Sequence, residues 1–502
     1  LQRYGENDTM LFGLLTGNFQ RNTQGGSLRK NVGSIRDEID DDTGQFDSTV
    51  GIIRTIDRLR IVDFGGSFEY TCGWITTRPI NPGECKMWGN PVGEMLYEAV
   101  RYFAGRGVPT TAFRAGGYPG VESDPSALSL PLPAWQNPYT TNSRCAKPFM
   151  TVVSDINPSY DADAVPGMPW NAIGAGDVAG LDAGAMLDII SSNEPEIAGM
   201  RFIGESLDNP PPEPTYDGAP TPKLVGSLKN VRGLSPEEPT KQGSFSAAGV
   251  AFWANTNDVN PIAGNQRPQT FAVALASPLP RIEIPFDNGK SITLVPFAKS
   301  VGGSGISADR ARFQPTNQIV DFYYDRLQSN PPNSYFFRVN YEDVEQGADH
   351  DMDAIVEYDI DRLDANTIQV RLRSTYAAGG IIQHMGYIVS GTDRTDGIYL
   401  TVRDLDTSAG SDPQYFLDVP PGQYRDITNP TAVTWNDGVA LPFESTQVFR
   451  VGASPGADLL RDPLYYAAKW GGFVDSDGDN RPFVASEWNQ DGDAQDTPDN
   501  YF

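Results

Sequence analysis

Three kinds of residue are scarce in this 502-residue chain: it has 3 cysteines, 2 histidines and only 38 lysines and arginines against 65 aspartates and glutamates. The shortage of basic residues leaves a net charge of −27. A surface of that sign repels duplex nucleic acid and anionic membrane, so both are excluded as partners. With two histidines, His350 and His384, neither HExxH nor a His pair on one helix can be built. GxSxG and P-loop patterns are missing as well, so the sequence offers no positive sign of an enzyme. No apolar run approaches the roughly 18–20 residues that span a bilayer, and no basic start leads into an apolar stretch. The chain opens on Leu1 rather than Met and stops at Tyr501 and Phe502 in mid-pattern, as expected of a piece of a longer protein.

Glycine and proline are plentiful, at 51 and 40 residues, and point to many turns and short strands. Hydrophobic residues at 39% with 11% aromatics are enough for real cores, and the length allows two or three domains. Cys72 and Cys85 flank the loop GWITTRPINPGE at a separation that a disulfide closes easily. Cys145 is left over, either free or paired outside this chain.

Periodicity divides the chain. MLFGLLTG (10–17) reads as a buried strand and GIIRTIDRLRI (51–61) as a helix with Ile52, Ile53, Ile56 and Leu59 on one face. In WGNPVGEMLYEAVRYFAG, Asn90 is the expected N-cap, Pro91 the first helical residue and Gly105 the stop. PFMTVVSD reads as a fully buried strand ending at Asp155, LDAGAMLDIISS and GSFSAAGVAFWANT as helices, and TFAVALAS as another buried strand. Alternation of strands and helices up to residue 277 predicts an α/β domain with a largely parallel sheet. From RIEIPF onward, short runs alternate apolar and polar residues, which predicts an antiparallel β-rich domain over 278–470. Residues 471–502 form an acidic segment leading into a further domain.

That segment carries the most distinctive chemistry. Asp475, Asp477 and Asp479 alternate along one turn, and Asn489, Asp491 and Asp493 along a second, with Trp488 between them. Ca²⁺ takes six to eight oxygen ligands, and alternate carboxylates on a tight loop supply them. The spacing is not an EF-hand: Asn480 and Ala494 stand where the loop glycine belongs. A compact calcium loop closed by Asp496, Asp499 or Glu487 fits better, against the alternative of a solvated acidic turn. Asp349, Asp351 and Asp353 repeat the alternation and are a second cation candidate, against the reading of a charged hairpin. Asp155, at the carboxyl end of a strand, either lines a ligand crevice or caps the next turn. The rival functional class is a secreted calcium-dependent polysaccharide hydrolase with paired carboxylates in a deep cleft. A structural cell-surface filament component is the third.

CGW…GEC…WGNPVGEMLYEAVRYFAG, PFMTVVSDINPSYDAD, LSPEEPTKQGSFSAAGVAFWANTNDVN, TFAVALASPLPRIEI, LVPFAKSVGG, YYAAKWGGF and EWN…PDNYF together resemble the type IV pilus tip and assembly proteins of the PilY/PilC family, in their long form. The resemblance runs over nearly the whole chain. It implies a secreted, extracellular protein exported through the periplasm and outer membrane to the pilus tip. Its implied partners are minor pilins and a host or abiotic surface, and its implied roles are pilus extension and retraction, twitching motility and adhesion under calcium control. It also implies a von Willebrand factor type A-like α/β domain over 1–277, incomplete at its N-terminus, and a C-terminal β-propeller outside this chain. In that domain the first adhesion-site motif, DxSxS, would precede residues 10–17. Asn90 stands where the second motif has Thr, and Asp155 matches the third, so Asn90 and Asp155 are the remnant ligands for Mg²⁺.

Overall fold

The computed structural model of the chain describes residues 4–5, 7–40, 42–63, 78–123, 128–141, 143–208, 220, 222–234, 239–275, 280–303, 306, 316–327, 334–342, 353–378, 381–393, 396–405, 441–453, 456–492 and 496–502. Its elements follow from where apolar side chains recur. Strands β1 (Phe12–Thr16) and β2 (Ser27–Gly33) pair antiparallel, and α1 spans Ile52–Arg58. β1 is only half-buried, with Leu11 exposed beside it, so the expected buried strand is a surface hairpin arm. On α1, Ile56 also faces out.

Helix α2 (Val92–Phe103) is sunk in the protein almost all round, and its inner face is partly polar: Glu94, Glu98 and Arg101 are buried beside Val92, Leu96, Tyr97 and Val100. Its N-cap is Pro91, one residue later than expected, because the Asn90 side chain is engaged elsewhere. Strand β3 (Phe149–Asp155) pairs in parallel with β4 (Gln269–Leu275) from Phe149 opposite Gln269 to Asp155 opposite Leu275. Between them come α3 (Ala183–Asn193), capped by Asp182 accepting from the Ala185 N–H at 2.8 Å, and α4 (Ser246–Thr256). Ala247, Ala248, Val250, Ala251 and Ala254 of α4 pack at the centre of this α/β core with Met150 and Ala272.

β3 is not fully buried. Met150 faces the core, while Phe149 and Val153 face outward, Val153 with 66% of its surface exposed. The run of apolar residues there marks two faces of unequal cover rather than complete enclosure. Among the described residues the parallel pairing is limited to β3, β4 and single bridges at Tyr501 and Asp458; the other paired strands are antiparallel.

The alternating segment forms a sandwich. One sheet has the order β5 (Ile282–Pro285), β6 (Ser291–Gly302), β11 (Ile382–Ser390), β12 (Gly397–Arg403). The other has β7 (Gln318–Leu327), β8 (Ser334–Glu342), β9 (Ala354–Arg362), β10 (Thr367–Ala377), β13 (Glu444–Arg450). Tyr335, Phe337, Val339 and Tyr341 of β8 alternate into the same core as Met385, Tyr387 and Val389 of β11. The Tyr358 hydroxyl donates across it to the Gly386 carbonyl at 2.6 Å. Gly386 is required there, since a Cβ would lie 1.8 Å from the Tyr399 carbonyl oxygen. Every residue of β11 is buried because its sheet is covered twice, by the partner sheet and, on the other side, by Phe202, Leu441 and Ala457. The outer face of the five-stranded sheet meets water with ion pairs instead, Arg338 with Asp325 at 2.8 Å and Arg371 with Asp359 and Asp361 at 2.6 Å.

The chain then returns. Helix α5 (Pro463–Gly472) packs its Leu464, Tyr466, Ala467 and Trp470 into the α/β core, not into the sandwich. Residues 463–470 therefore do not extend the β-rich domain as expected, and 471–502 do not simply lead away. The Phe502 N–H donates to Ala272 O at 2.9 Å, and Ala272 and Ala274 donate to Asn500 O and Phe502 O at 2.8 and 2.7 Å. The β-sandwich is an insertion between β4 and α5.

Candidate metal centre and its supports

The first acidic turn follows directly from α5. Gly471 and Gly472 let that helix end close against its neighbours: a Cβ on Gly471 would lie 2.5 Å from the Ala251 Cβ, and one on Gly472 2.6 Å from the Thr270 carbonyl. Beyond Phe473 the backbone curls so that Asp475 Oδ1 accepts from Gly478 N at 2.8 Å, Asp475 Oδ2 from Asn480 N at 3.3 Å, Asp477 Oδ1 from Asp479 N at 3.1 Å and Asp479 Oδ1 from Arg481 N at 2.7 Å. Asn480 takes the left-handed conformation expected of it, with φ at 58°. The outcome is three exposed carboxylates whose ligand oxygens lie within 4.8 Å of one another. Three like charges that close repel each other, and hard oxygen donors at that spacing suit Ca²⁺.

Glu487 lies beneath the turn, not in it. Its Oε1 accepts from both the Ser476 N–H and hydroxyl at 2.8 Å, and Oε2 from Val484 N at 3.4 Å. Burial acts to raise its pKa, but these donors overcome it and the carboxyl titrates below its ordinary value. Glu487 braces the turn and is not among the three carboxylates that converge.

The second turn is assembled differently. Asn489 is buried and its Oδ1 accepts from Gly492 N at 2.9 Å, while Asp499 Oδ2 accepts from Gln490 N at 2.9 Å. Asp491 is exposed, Asp496 holds a positive φ of 51° and gives its carbonyl to the Tyr465 hydroxyl, and Asp493 lies outside the described residues. Among the described residues no three acids converge here. Of the third cluster, Asp349 and Asp351 lie outside the described residues, and Asp353 is buried with its N–H on Tyr341 O.

Asn90 and Asp155, far apart in sequence, are brought together. The Asn90 Nδ2 donates to Ser154 Oγ at 2.9 Å and to Asp155 Oδ2 at 3.0 Å, and Asp155 Oδ1 accepts from Asn157 N at 2.8 Å. Asp155 thus does hold the following turn, while its second oxygen faces an amide donor. An Mg²⁺ there needs the amide turned so that its oxygen joins the carboxylate.

Two supports escaped the sequence reading. Asp161, fully enclosed, accepts from Ser244 N at 2.8 Å, Gly93 N at 3.2 Å and the Ser246 hydroxyl at 3.2 Å, joining the starts of α2 and α4. Burial raises its pKa to about 6, against the pull of those donors. Glu194, closing α3, holds Lys469 Nζ at 2.8 Å and Trp470 Nε1 at 2.6 Å, and Lys469 lies 4.0 Å from the centroid of the Trp488 ring. Below them a pocket of about 150 Å³ is lined by Phe271, Phe473, Trp488, Gln490 and Asp499. That is smaller than the roughly 300–1,000 Å³ of typical small-molecule sites. In sequence these supports are an isolated aspartate, serines at a helix start and a glutamate at a helix end, too common to single out. Of the cysteines, Cys85 is disulfide-bonded, Cys145 is free and exposed, and Cys72 lies outside the described residues.

Family models overlap the first stretch of the α/β core and the inserted β-sandwich in turn. Residues 12–254 match the model described as PilY1 homolog, second domain, and 284–442 the one described as PilY1 homolog, beta-sandwich. The chain belongs to the PilY1 homologue family. A curated relative from Xylella fastidiosa, strain Temecula1, named type IV pilus biogenesis factor PilY1 homolog, is 46% identical over 94% of this chain and 34% of its own length. The chain thus spans about a third of that relative. No solved structure matches it. No helix among the described residues is long and apolar enough to cross a membrane.

Proposed function

We propose that this chain is part of a type IV pilus biogenesis factor that acts outside the cell, at the pilus tip, without catalysing a reaction. The observation that carries this reading is the ordered match of both regions to PilY1 homologue domains, together with the pilus biogenesis name of the 46% identical relative. Its partners are minor pilins and the surface to which the pilus attaches, and its roles are pilus assembly and retraction, twitching motility and attachment. The α/β core, with β3, β4 and their helices, is von Willebrand type A-like. Cys85 pairs with Cys72.

Calcium dependence enters at the first acidic turn. Asp475, Asp477 and Asp479 fit a Ca²⁺ ion by donor type and spacing, with Asp491, Asp496 and Asp499 nearby in the chain. The ion would neutralise carboxylates that otherwise repel, and so stiffen the segment that runs from α5 back along β4. The test is Ca²⁺ titration by calorimetry on this chain beside Asp475→Asn/Asp477→Asn/Asp479→Asn, with the same changes made in the full-length gene and scored for surface pili and twitching. Micromolar to millimolar binding lost in the variant, with reduced piliation, is the expected result. Equal binding in both, with normal piliation, overturns the calcium role.

A further inference from the structure

The chain leaves the α/β core at Leu275, the end of β4, and re-enters it at Asp462, the N-cap of α5. The outgoing and returning connections lie side by side. Arg281 Nη2 is 3.4 Å from Asp458 Oδ1, and Asp458 is itself fixed to the core, accepting from Phe202 N at 3.0 Å and donating to Met200 O at 3.2 Å. Past that neck, α5 is clasped to the core by Lys469 and Trp470 on Glu194, by Trp470 against Phe252 with ring centroids 4.8 Å apart, and by the Tyr501 hydroxyl on Asp462 at 2.9 Å. The final residues are hydrogen-bonded along β4.

We propose that the β-sandwich is a load-sheltered side branch: tension applied through the two ends of this chain is carried by the α/β core and reaches the sandwich only after α5 has been released. Two domains in series would each bear the full tension at all times. Here both strands of the neck are anchored in one core, so the sandwich hangs from it and keeps its shape while the core is under load. This rests on topology alone and does not depend on the pilus reading.

Single-molecule stretching of the 502-residue chain, held near residues 1 and 502, tests it. Unfolding of the sandwich between Ile282 and Val451 lengthens the chain by roughly 600 Å, about 170 residues at about 3.5 Å each, and release of α5 with the segment after Asp458 by roughly 150 Å. A neck cross-link, Arg281→Cys with Asp458→Cys in a Cys145→Ser background, identifies the long step by abolishing it when oxidised. The 600 Å step is expected never to precede the shorter one, and a merged step in which both are lost together agrees with shelter. Glu194→Gln, which keeps the bond to Trp470 but removes the ion pair, is expected to lower the force of the first step and leave the sandwich's own unfolding force unchanged. The long step occurring first in a substantial share of molecules, or a first-step force indifferent to Glu194→Gln, overturns the proposal.

Discussion

Protonating His384 should destabilise the sandwich, and the size of the effect can be worked out. His384 is fully buried in β11, directly across from Lys299 of β6 on one side and Arg403 of β12 on the other. Burial, and then the Arg403 charge, lower its pKa to about 3 from an ordinary 6.5. Because the folded pKa is depressed, the unfolded chain binds the proton first. Stability is therefore constant above pH 6.5 and falls as pH drops from there towards 3. At pH 5 the loss from this residue is about 2 kcal/mol, rising to about 4 kcal/mol at pH 3. Native-state hydrogen exchange read on peptides covering 382–403 reports the sandwich separately from the α/β core. The separation matters because buried Glu94, Glu98 and Asp161, raised mainly by burial, titrate in the opposite sense in the core. His384→Gln should be somewhat less stable at pH 8 and flat from pH 8 to pH 5, where the native chain loses protection by roughly thirtyfold, the equivalent of 2 kcal/mol. Parallel pH profiles for the two proteins would refute the reasoning.

Other tests address the core. Gly249→Ala places a methyl 2.4 Å from the Ala183 carbonyl and should cost about 1–3 kcal/mol in denaturant unfolding by pushing α3 from α4. Trp470→Phe leaves Glu194 without its indole donor and should cost about 1–3 kcal/mol; unchanged stability would show that the clasp depends on Lys469 alone. Asp161→Asn removes a carboxylate whose folded pKa, about 6, lies above its ordinary 3.8. The native core binds that proton more tightly than the unfolded chain, so it loses stability as pH rises from about 4 to 6, and the variant should lack that slope in thermal melts at fixed salt.

The elements that local pattern predicted are those whose side chains sort by face. α4 reads plainly because small and apolar residues fill its whole surface, and β8 and β9 because one face is apolar and the other largely polar. Asp475, Asp477 and Asp479 were legible for the same reason: the turn is local, and its hydrogen bonds run between residues two to five apart. Asn90 was misread as a cap because its true partners, Ser154 and Asp155, are more than sixty residues away. The bonds of Glu487 to Ser476, eleven residues back, carry no local pattern of that kind.

The return of the chain to its first core is the feature that no local pattern carries, and it changes how the acidic turn should be understood. YYAAKWGGF follows a long β-segment, so continuity argued for a joint leading away from the sandwich. What decides its place is complementarity with residues more than 200 positions earlier: Trp470 for Phe252, Gly471 for Ala251, Gly472 for Thr270, Lys469 for Glu194. Each pairing is unremarkable alone, but together they fix α5 against α4 and β4, and a bulky residue at Gly471 or Gly472 would break all of them. A cation at Asp475, Asp477 and Asp479 would then stabilise the clasp that closes the core around its insertion, not a hinge between two domains in series. Calcium should accordingly raise the force of α5 release in the stretching experiment while leaving the sandwich step unmoved, and an effect of calcium confined to the sandwich step would show that the ion binds elsewhere.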